Sequence, residues 1–398
     1  MGKRLLKQPF KGVIGLSYLT MFFEGALNVI IVALMLTLED HFGVSGAEAA
    51  LLVSLKSLGT ILTLYIAGDL SDKFGRKKIM LVGLFFFLLF ILGFGFVDDF
   101  RFLYIFALLG GMGHGLMDSP GISLLFDAIK GNTGPAMSLV SVFFSAGSVS
   151  VTLVSSYFIG NNLPWQYIFR GFLVIALILG ILIMTVRYPK LQSKPESESE
   201  TTNKRRGPSK IMALLLITVV ASASVQAILT TWIPTFGVVE KSLTEATSVS
   251  LLSSYQVGSV LGSIALAILL NKIHASVFMV SNPIITLMFL AVYMFTTHPV
   301  LAGISLFAMG FFQGVYFALM INMGGELNPG RSGASTGLVG TFNMISVTLM
   351  VSISGYLQSI IGVFNVFLIA LVLLAVLSSS AGWFRKNYLK MKKEKVYE

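Results

Sequence analysis

Apolar runs of membrane-crossing length recur from one end of the chain to the other. They predict helices at about 12–36, 47–69, 78–97, 100–124, 136–160, 166–187, 210–237, 246–270, 275–296, 299–322, 334–358 and 360–384. At about 1.5 Å per residue, each can cross a hydrocarbon core of about 30 Å. Lipid offers the backbone no hydrogen-bond partner, so such runs must bond internally as helices. The first run is too long for the apolar part of a cleaved leader, and no A-x-A-like site follows it. It is expected to stay in place as a span.

Composition narrows the class. Of 398 residues, 55% are hydrophobic and 12% charged, whereas a soluble domain carries about 25% charged residues. A soluble enzyme, a disordered chain and a secreted scaffold are excluded. Cysteine is absent, so no disulfide framework and no thiolate site is expected. The four histidines, His41, His114, His274 and His298, include no i, i+4 pair, so no His-rich metal site is expected. No nucleotide loop, triad spacing or metal cluster is present in the sequence, so neither catalytic residues nor a cofactor are expected.

The net charge of +10 is distributed unevenly. With the N-terminus in the cytoplasm, 24 of the 28 Lys and Arg residues fall on the cytoplasmic side, and the opposite side holds Arg101 and Lys241 alone. Lys56 and Arg170 lie inside spans. This positive-inside pattern places both termini in the cytoplasm of a multi-pass protein of the cell membrane. It accounts for the basic balance without nucleic acid. Glu39, Asp40, Asp98 and Asp99 fall in exterior loops and are expected to be solvated.

One polar, Pro-containing stretch at 188–209 reads as a flexible cytoplasmic linker. It separates a six-helix bundle over 1–187 from a second over 210–384, with a basic tail at 385–398. The two halves repeat at a constant offset of 199. Gly59-Thr60 meets Gly258-Ser259, Lys73-Phe74 meets Lys272-Ile273, Gly111 and Gly115 meet Gly310 and Gly314, Gly134 meets Gly333, and Leu139-Val140 meets Leu338-Val339. One offset held from span 2 to span 5 indicates parallel repeats.

After span 2 runs Gly68-Asp69-Leu70-Ser71-Asp72-Lys73-Phe74-Gly75-Arg76-Lys77-Lys78. This resembles the loop 2–3 signature of the major facilitator superfamily, G-x-L-[SA]-D-[RK]-x-G-R-[RK]. The resemblance covers the whole chain, since span number, repeat and basic linker also agree. It implies an all-α polytopic fold, twelve transmembrane helices in two six-helix bundles related by a pseudo-two-fold axis, transporting by alternating access. It further implies a latch. Asp72 would face the N-terminus of span 11, where a carboxylate is favourable by up to about 2 kcal/mol, and Arg76 would pair with Asp127. Gly68 would permit close helix approach, and Gly75 would supply a turn that other residues resist. The second copy, Asn271-Lys272-Ile273-His274, has lost the acid and the glycine. Two further family signatures are missing. Phe106 stands where the helix 4 pattern places Arg, and Ser145-Ala146-Gly147-Ser148 replaces the helix 5 pattern of drug antiporters.

Ionisable groups inside spans cost at least about 2.5–3.5 kcal/mol at the centre and read as functional. Glu24 lies mid-span 1 with Asn28 one turn on, and Asp118 lies in span 4 with His114 one turn earlier. The run Gly111 to Asp118 resembles the helix 4 G-x-G-x-G-x-x-D of fucose-type sugar/proton symporters. Glu24, Asp118 and His114 are therefore the expected proton-coupling groups. Structural alternatives are a hydrogen bond between Glu24 and Asn28 or Lys56, and an interhelical tie from Asp118 to His114 or to span 2. At the repeat offset, Glu24, His114 and Asp118 become Ala223, Gln313 and Phe317. The second half instead offers neutral groups. The expected substrate-binding set is Asn28, Lys56, Gln226, Trp232, Gln256, Gln313, Tyr316 and Asn343, with Tyr255 beside them. Trp232 reads equally as an interfacial anchor, Tyr316 as packing, and Lys56 as half of an internal ion pair. The serine stripe of span 5, from Ser138 to Ser155, reads first as tight helix packing.

The expected function is proton-coupled movement of a small polar solute, a sugar or related metabolite, by a monomer in the lipid bilayer. Efflux of amphipathic compounds is the second reading, since 32 Phe and 18 Met can make an adaptable pocket. A non-transporting membrane sensor is the third.

Overall fold

The computed structural model describes residues 10–129, 134–188, 210–270, 272–327 and 332–397. The described residues are helical throughout apart from short turns. In chain order the helices are α1 (Lys11–Ala33), α2 (Met35–Phe42), α3 (Gly46–Phe74), α4 (Arg76–Phe96), α5 (Phe100–Ala128), α6 (Gly134–Gly160) and α7 (Gln166–Thr185). They continue with α8 (Lys210–Val239), α9 (Glu245–Leu269), α10 (Ala275–Phe295), α11 (Pro299–Gln313), α12 (Tyr316–Leu327) and α13 (Ser332–Tyr397).

Among the described residues, eleven stretches are long and apolar enough to cross a membrane, the last of them running over 55 residues from Leu338 to Lys392. At about 1.5 Å per residue that stretch is more than twice the length of one crossing. It bends at Gly362, which has φ of 80°, and so makes the last two of twelve crossings. The sequence places this break near residue 359, where no backbone signal is present. A glycine that can adopt positive φ decides the position. The helix then continues through the basic tail to Tyr397, because no proline or glycine follows Gly382.

The turns have local causes. Ser45 and Glu48 form a reciprocal capping box that starts α3. Asp99 caps α5 by accepting from Arg101 N at 2.9 Å, so it is structural as well as solvated. Gly43, with φ of 63°, ends α2. The expected exterior loop after span 1 is in fact helix α2, and Glu39 on it is only half exposed. The predicted span 10 breaks at Gly314 and Val315 between α11 and α12.

Among the described residues, buried side chains form a small core of Ala67, Ile79 and Leu116 and two large ones. One gathers Phe23, Phe87, Phe90, Phe94 and Phe169 from the first half. The other gathers Trp232, Phe236, Tyr293, Phe367 and Phe384 from the second half, and takes in Val32, Met35, Ala49 and Ala50 from the first. An even number of crossings returns the chain to one face. The first-half residues that join the second core lie toward the opposite face. Further ties between halves lie there too: Thr152 Oγ1 to Ser253 Oγ at 2.5 Å, and Ser156 Oγ donating to Ala246 O at 2.7 Å. Large apolar side chains such as Leu177, Ile181, Met288 and Val372 are exposed on the outside. In water that surface would be costly, and in lipid it is the expected finish.

Candidate functional site

A cavity of about 520 Å³ opens between the two halves. From the first half, Asn28 of α1, Ser57 and Thr60 of α3, His114 and Asp118 of α5, and Ser141, Ser145 and Ser148 of α6 line it. From the second half come Gln226 and Thr230 of α8, Tyr255, Gln256 and Ser259 of α9, Phe317 of α12 and Asn343 of α13. The repeat builds both walls. Ser57 and Gln256, Thr60 and Ser259, Asp118 and Phe317, and Phe144 and Asn343 are pairs at the 199 offset, and every member lines the cavity. Equivalent positions thus carry different chemistry on the two sides.

The first wall holds the ionisable groups. Glu24 sits just behind the lining, fully buried. Its carboxylate, an imidazole nitrogen of His114 and the carboxylate of Asp118 all lie within 4.8 Å of one another. Both oxygens of Glu24 and Nδ1 of His114 are buried without a hydrogen-bond partner. The imidazole is held edge-on against Phe87 and Phe144, with ring centroids 6.5 and 6.2 Å away. Glu24 therefore does not bond Asn28 as a structural role would require. Asn28 is taken by Lys56, whose Nζ donates to Asn28 O and Oδ1 at 3.2 Å each. The ammonium remains near enough to act on Glu24 through its charge.

Four residues expected at the substrate do not line the cavity. Lys56 is buried against Asn28. Trp232 is fully buried in the second core, where Nε1 donates to Ser354 Oγ at 2.9 Å, so it faces neither the cavity nor the outer surface. Gln313 turns inward and donates to Ser222 O and Oγ at 3.3 and 3.2 Å. Tyr316 donates to Met279 O at 2.6 Å. In each case a polar atom at membrane depth has taken the nearest protein acceptor, because lipid offers none. Asn28, Gln226, Gln256 and Asn343 do line the cavity, and Asn343 Nδ2 and the Tyr255 hydroxyl are buried there without a partner. The hydroxyls of Ser57, Thr60, Thr230 and Ser259 were not singled out in the sequence, although the repeat offset pairs two of them. The serines of α6 do both jobs: Ser148 lines the cavity and donates to Gly25 O at 2.8 Å.

On the face carrying the termini, Arg76 Nε donates to Asp127 Oδ2 at 3.1 Å and Nη1 donates to Ser71 Oγ at 2.6 Å. Gly75 joins α3 to α4 with φ of 92°. Gly68 is not a close-approach glycine, since a methyl there would meet Ser119 Oγ at an ordinary 3.4 Å. The side chains of Asp72 and of residues 332–337, at the start of α13 that it would face, lie outside what the structure describes. The second half carries its own pair on the same face. Glu326 stands at the offset of Asp127, and His274 Nε2 lies 3.3 Å from its Oε2.

The family model described as Major Facilitator Superfamily matches residues 16–299 and 241–396. The chain is 28% identical to the uncharacterized MFS-type transporter YfkL of Bacillus subtilis (strain 168), over 94% of this chain and 96% of that protein. It is 24% identical to the inner membrane transport protein YdiN of Escherichia coli (strain K12), over 88% and 85% respectively. The crystal structure of a D-xylose-proton symporter shares the fold with a TM-score of 0.71 at 13% identity, covering 94% of this chain and 96% of that one. With one family model spanning both halves and a relative aligned almost end to end, the chain belongs to the Major Facilitator Superfamily of membrane transporters.

Proposed function

We propose that the chain moves a small polar solute, a sugar or related metabolite, across the cell membrane by alternating access, coupled to protons through Glu24 and Asp118. The observation that carries this reading is the asymmetry of the cavity. One wall presents His114 and Asp118 with Glu24 just behind them, and the other presents Gln226, Gln256, Asn343 and Tyr255. Neutral amides and hydroxyls suit a hydroxylated solute, since each can both donate and accept or be paired with a group that does. A carboxylate left ionised in a closed, dry site is costly, so a proton or other cation must accompany the step in which the cavity is sealed. Asn28, held by Lys56, joins the two functions.

In this reading the bundles 1–187 and 210–384 rock about the cavity, with 188–209 as the cytoplasmic linker and both termini cytoplasmic. Asp72, Gly75, Arg76 and Asp127 form the latch between alternative states. One chain supplies both walls, so a monomer suffices. A second reading is favoured by Met21, Phe144, Phe317 and Met344, which give the cavity an adaptable apolar part suited to efflux of amphipathic compounds.

Reconstituted protein with an imposed pH gradient distinguishes these readings by the compounds that move. Glu24→Gln should still exchange solute and fail to accumulate it, and Asp118→Asn should behave likewise if it carries the proton. Undiminished pH-driven accumulation in both single variants and the double variant would show that these acids do not couple transport.

A further inference from the structure

We infer that Glu24, His114 and Asp118 form a binding site for one divalent first-row transition-metal ion, entered from the cavity. Three observations converge on it. The donor set is one imidazole nitrogen and two carboxylates, with donors within 4.8 Å of one another. Ions of the zinc and cobalt size hold such ligands at about 2.0–2.2 Å, so modest side-chain rotation closes the set around an ion. Glu24 is fully buried, and neither of its oxygens has a hydrogen-bond partner. Nδ1 of His114 is likewise buried and unsatisfied. Polar atoms buried at this depth are normally bonded, and an exception calls for an explanation such as a bound ion.

The chemistry selects the class of ion. Imidazole is a good ligand for zinc, cobalt and related metals, while calcium and magnesium prefer an all-oxygen shell. Two carboxylates neutralise a divalent charge. His114 and Asp118 line the cavity while Glu24 lies behind them, so water or solute can complete the shell from the open side. The rings of Phe87 and Phe144 limit rotation of the imidazole. Lys56 is the one cation acting on this cluster among the described residues, and its Nζ is bonded to Asn28 rather than to the acids. It balances Glu24 when no metal is bound and opposes metal entry. The second half has no equivalent site, since Ala223, Gln313 and Phe317 stand at the matching positions.

The inference goes beyond proton coupling, because metal and protons would compete for the same carboxylates. Binding is measured without transport, so failure of the metal site leaves the coupling proposal standing, and failure of pH-driven flux leaves the metal site standing. The experiment titrates purified full-length protein with Co2+ and follows its visible absorption, then repeats the titration with Mn2+ and reads nitrogen coupling by pulsed electron paramagnetic resonance. The expected result is one ion per chain, with nitrogen coupling from one imidazole in the wild-type protein. Glu24→Gln, His114→Gln and Asp118→Asn should each weaken binding by about tenfold or more, the scale on which changes around metal sites act. Lys56→Gln should tighten it. His274→Gln should leave it unchanged, although His274 and Glu326 make a second His–carboxylate pair. No cobalt band at millimolar metal, no nitrogen coupling in the wild-type protein, binding that survives Glu24→Gln with Asp118→Asn, or binding lost in His274→Gln would each overturn the inference.

Discussion

Gly111 of α5 lies flush against the main-chain oxygen of Lys56 on α3, and a methyl group on Gly111 would overlap that oxygen. Gly310 stands in the same relation to Tyr255, 199 residues later for both partners. Gly59 against Leu108 and Gly258 against Phe307 repeat the arrangement from the other helix. The two halves therefore use one close helix packing twice, and small residues permit it.

Gly111→Val and Gly310→Val should each reduce the yield of folded protein and lower its melting temperature, since overpacking costs about 1–3 kcal/mol and here the obstacle is backbone. Gly15→Ala, with nothing within 4 Å of the added methyl, should melt like the wild type. Size-exclusion profiles after graded heating provide the comparison.

Arg76→Ala should slow transport while insertion into the membrane stays normal. Asp127 would lose the partner now 3.1 Å away, and a partly buried pair of this kind contributes on the order of 1 kcal/mol. The chain has no native cysteine, so Ser145→Cys in the cavity reports accessibility directly. Modification by an impermeant thiol reagent from the termini face should change severalfold in Arg76→Ala. Unchanged labelling and flux would count against a latch.

His274 starts α10 as its N-cap, with Nδ1 accepting from Ser276 N at 3.2 Å. A lost cap costs about 1 kcal/mol, so His274→Ala should lower the melting temperature by about 1–3 °C. His274→Asn, whose amide oxygen can accept the same bond, should recover most of the loss. Equal melting curves for the wild type and both variants would show that the cap contributes nothing.

The face opposite the termini should open as pH rises. Glu39 on α2 is pushed up to about 7 by burial first and then by the charge of Glu245 on α9. Thr37 donates to Glu245 across the halves, and Asp40 is the other acid acting on Glu245. A carboxyl with its pKa raised in the closed arrangement imposes no penalty below the ordinary carboxylate range. The penalty on closure grows from there to about pH 7 and stays constant above. Spin labels on the turns at 43–45 and 240–244 should show more of the long-distance population at pH 8 than at pH 5. Glu39→Gln should reduce the difference, since the acid of Glu245 remains, and a wild-type distribution insensitive to pH would refute the assignment.

Hydropathy alone determined the all-helical class and the twelve crossings, because a backbone in lipid must bond within its own helix. The constant offset between Gly111 and Gly310 likewise revealed the repeat, since close packing admits one residue type. What tertiary structure decided is which polar side chains face the cavity. Periodicity places Gln313 and Tyr316 as readily at a substrate as Gln256. Their orientation depended on whether an acceptor such as Ser222 O or Met279 O lay within reach on a neighbouring helix. The meeting of Glu24 with His114 and Asp118 has the same origin, since it joins α1 to α5 across some ninety residues of chain. No local pattern encodes a contact between helices. It exists because both must bury the faces that carry it.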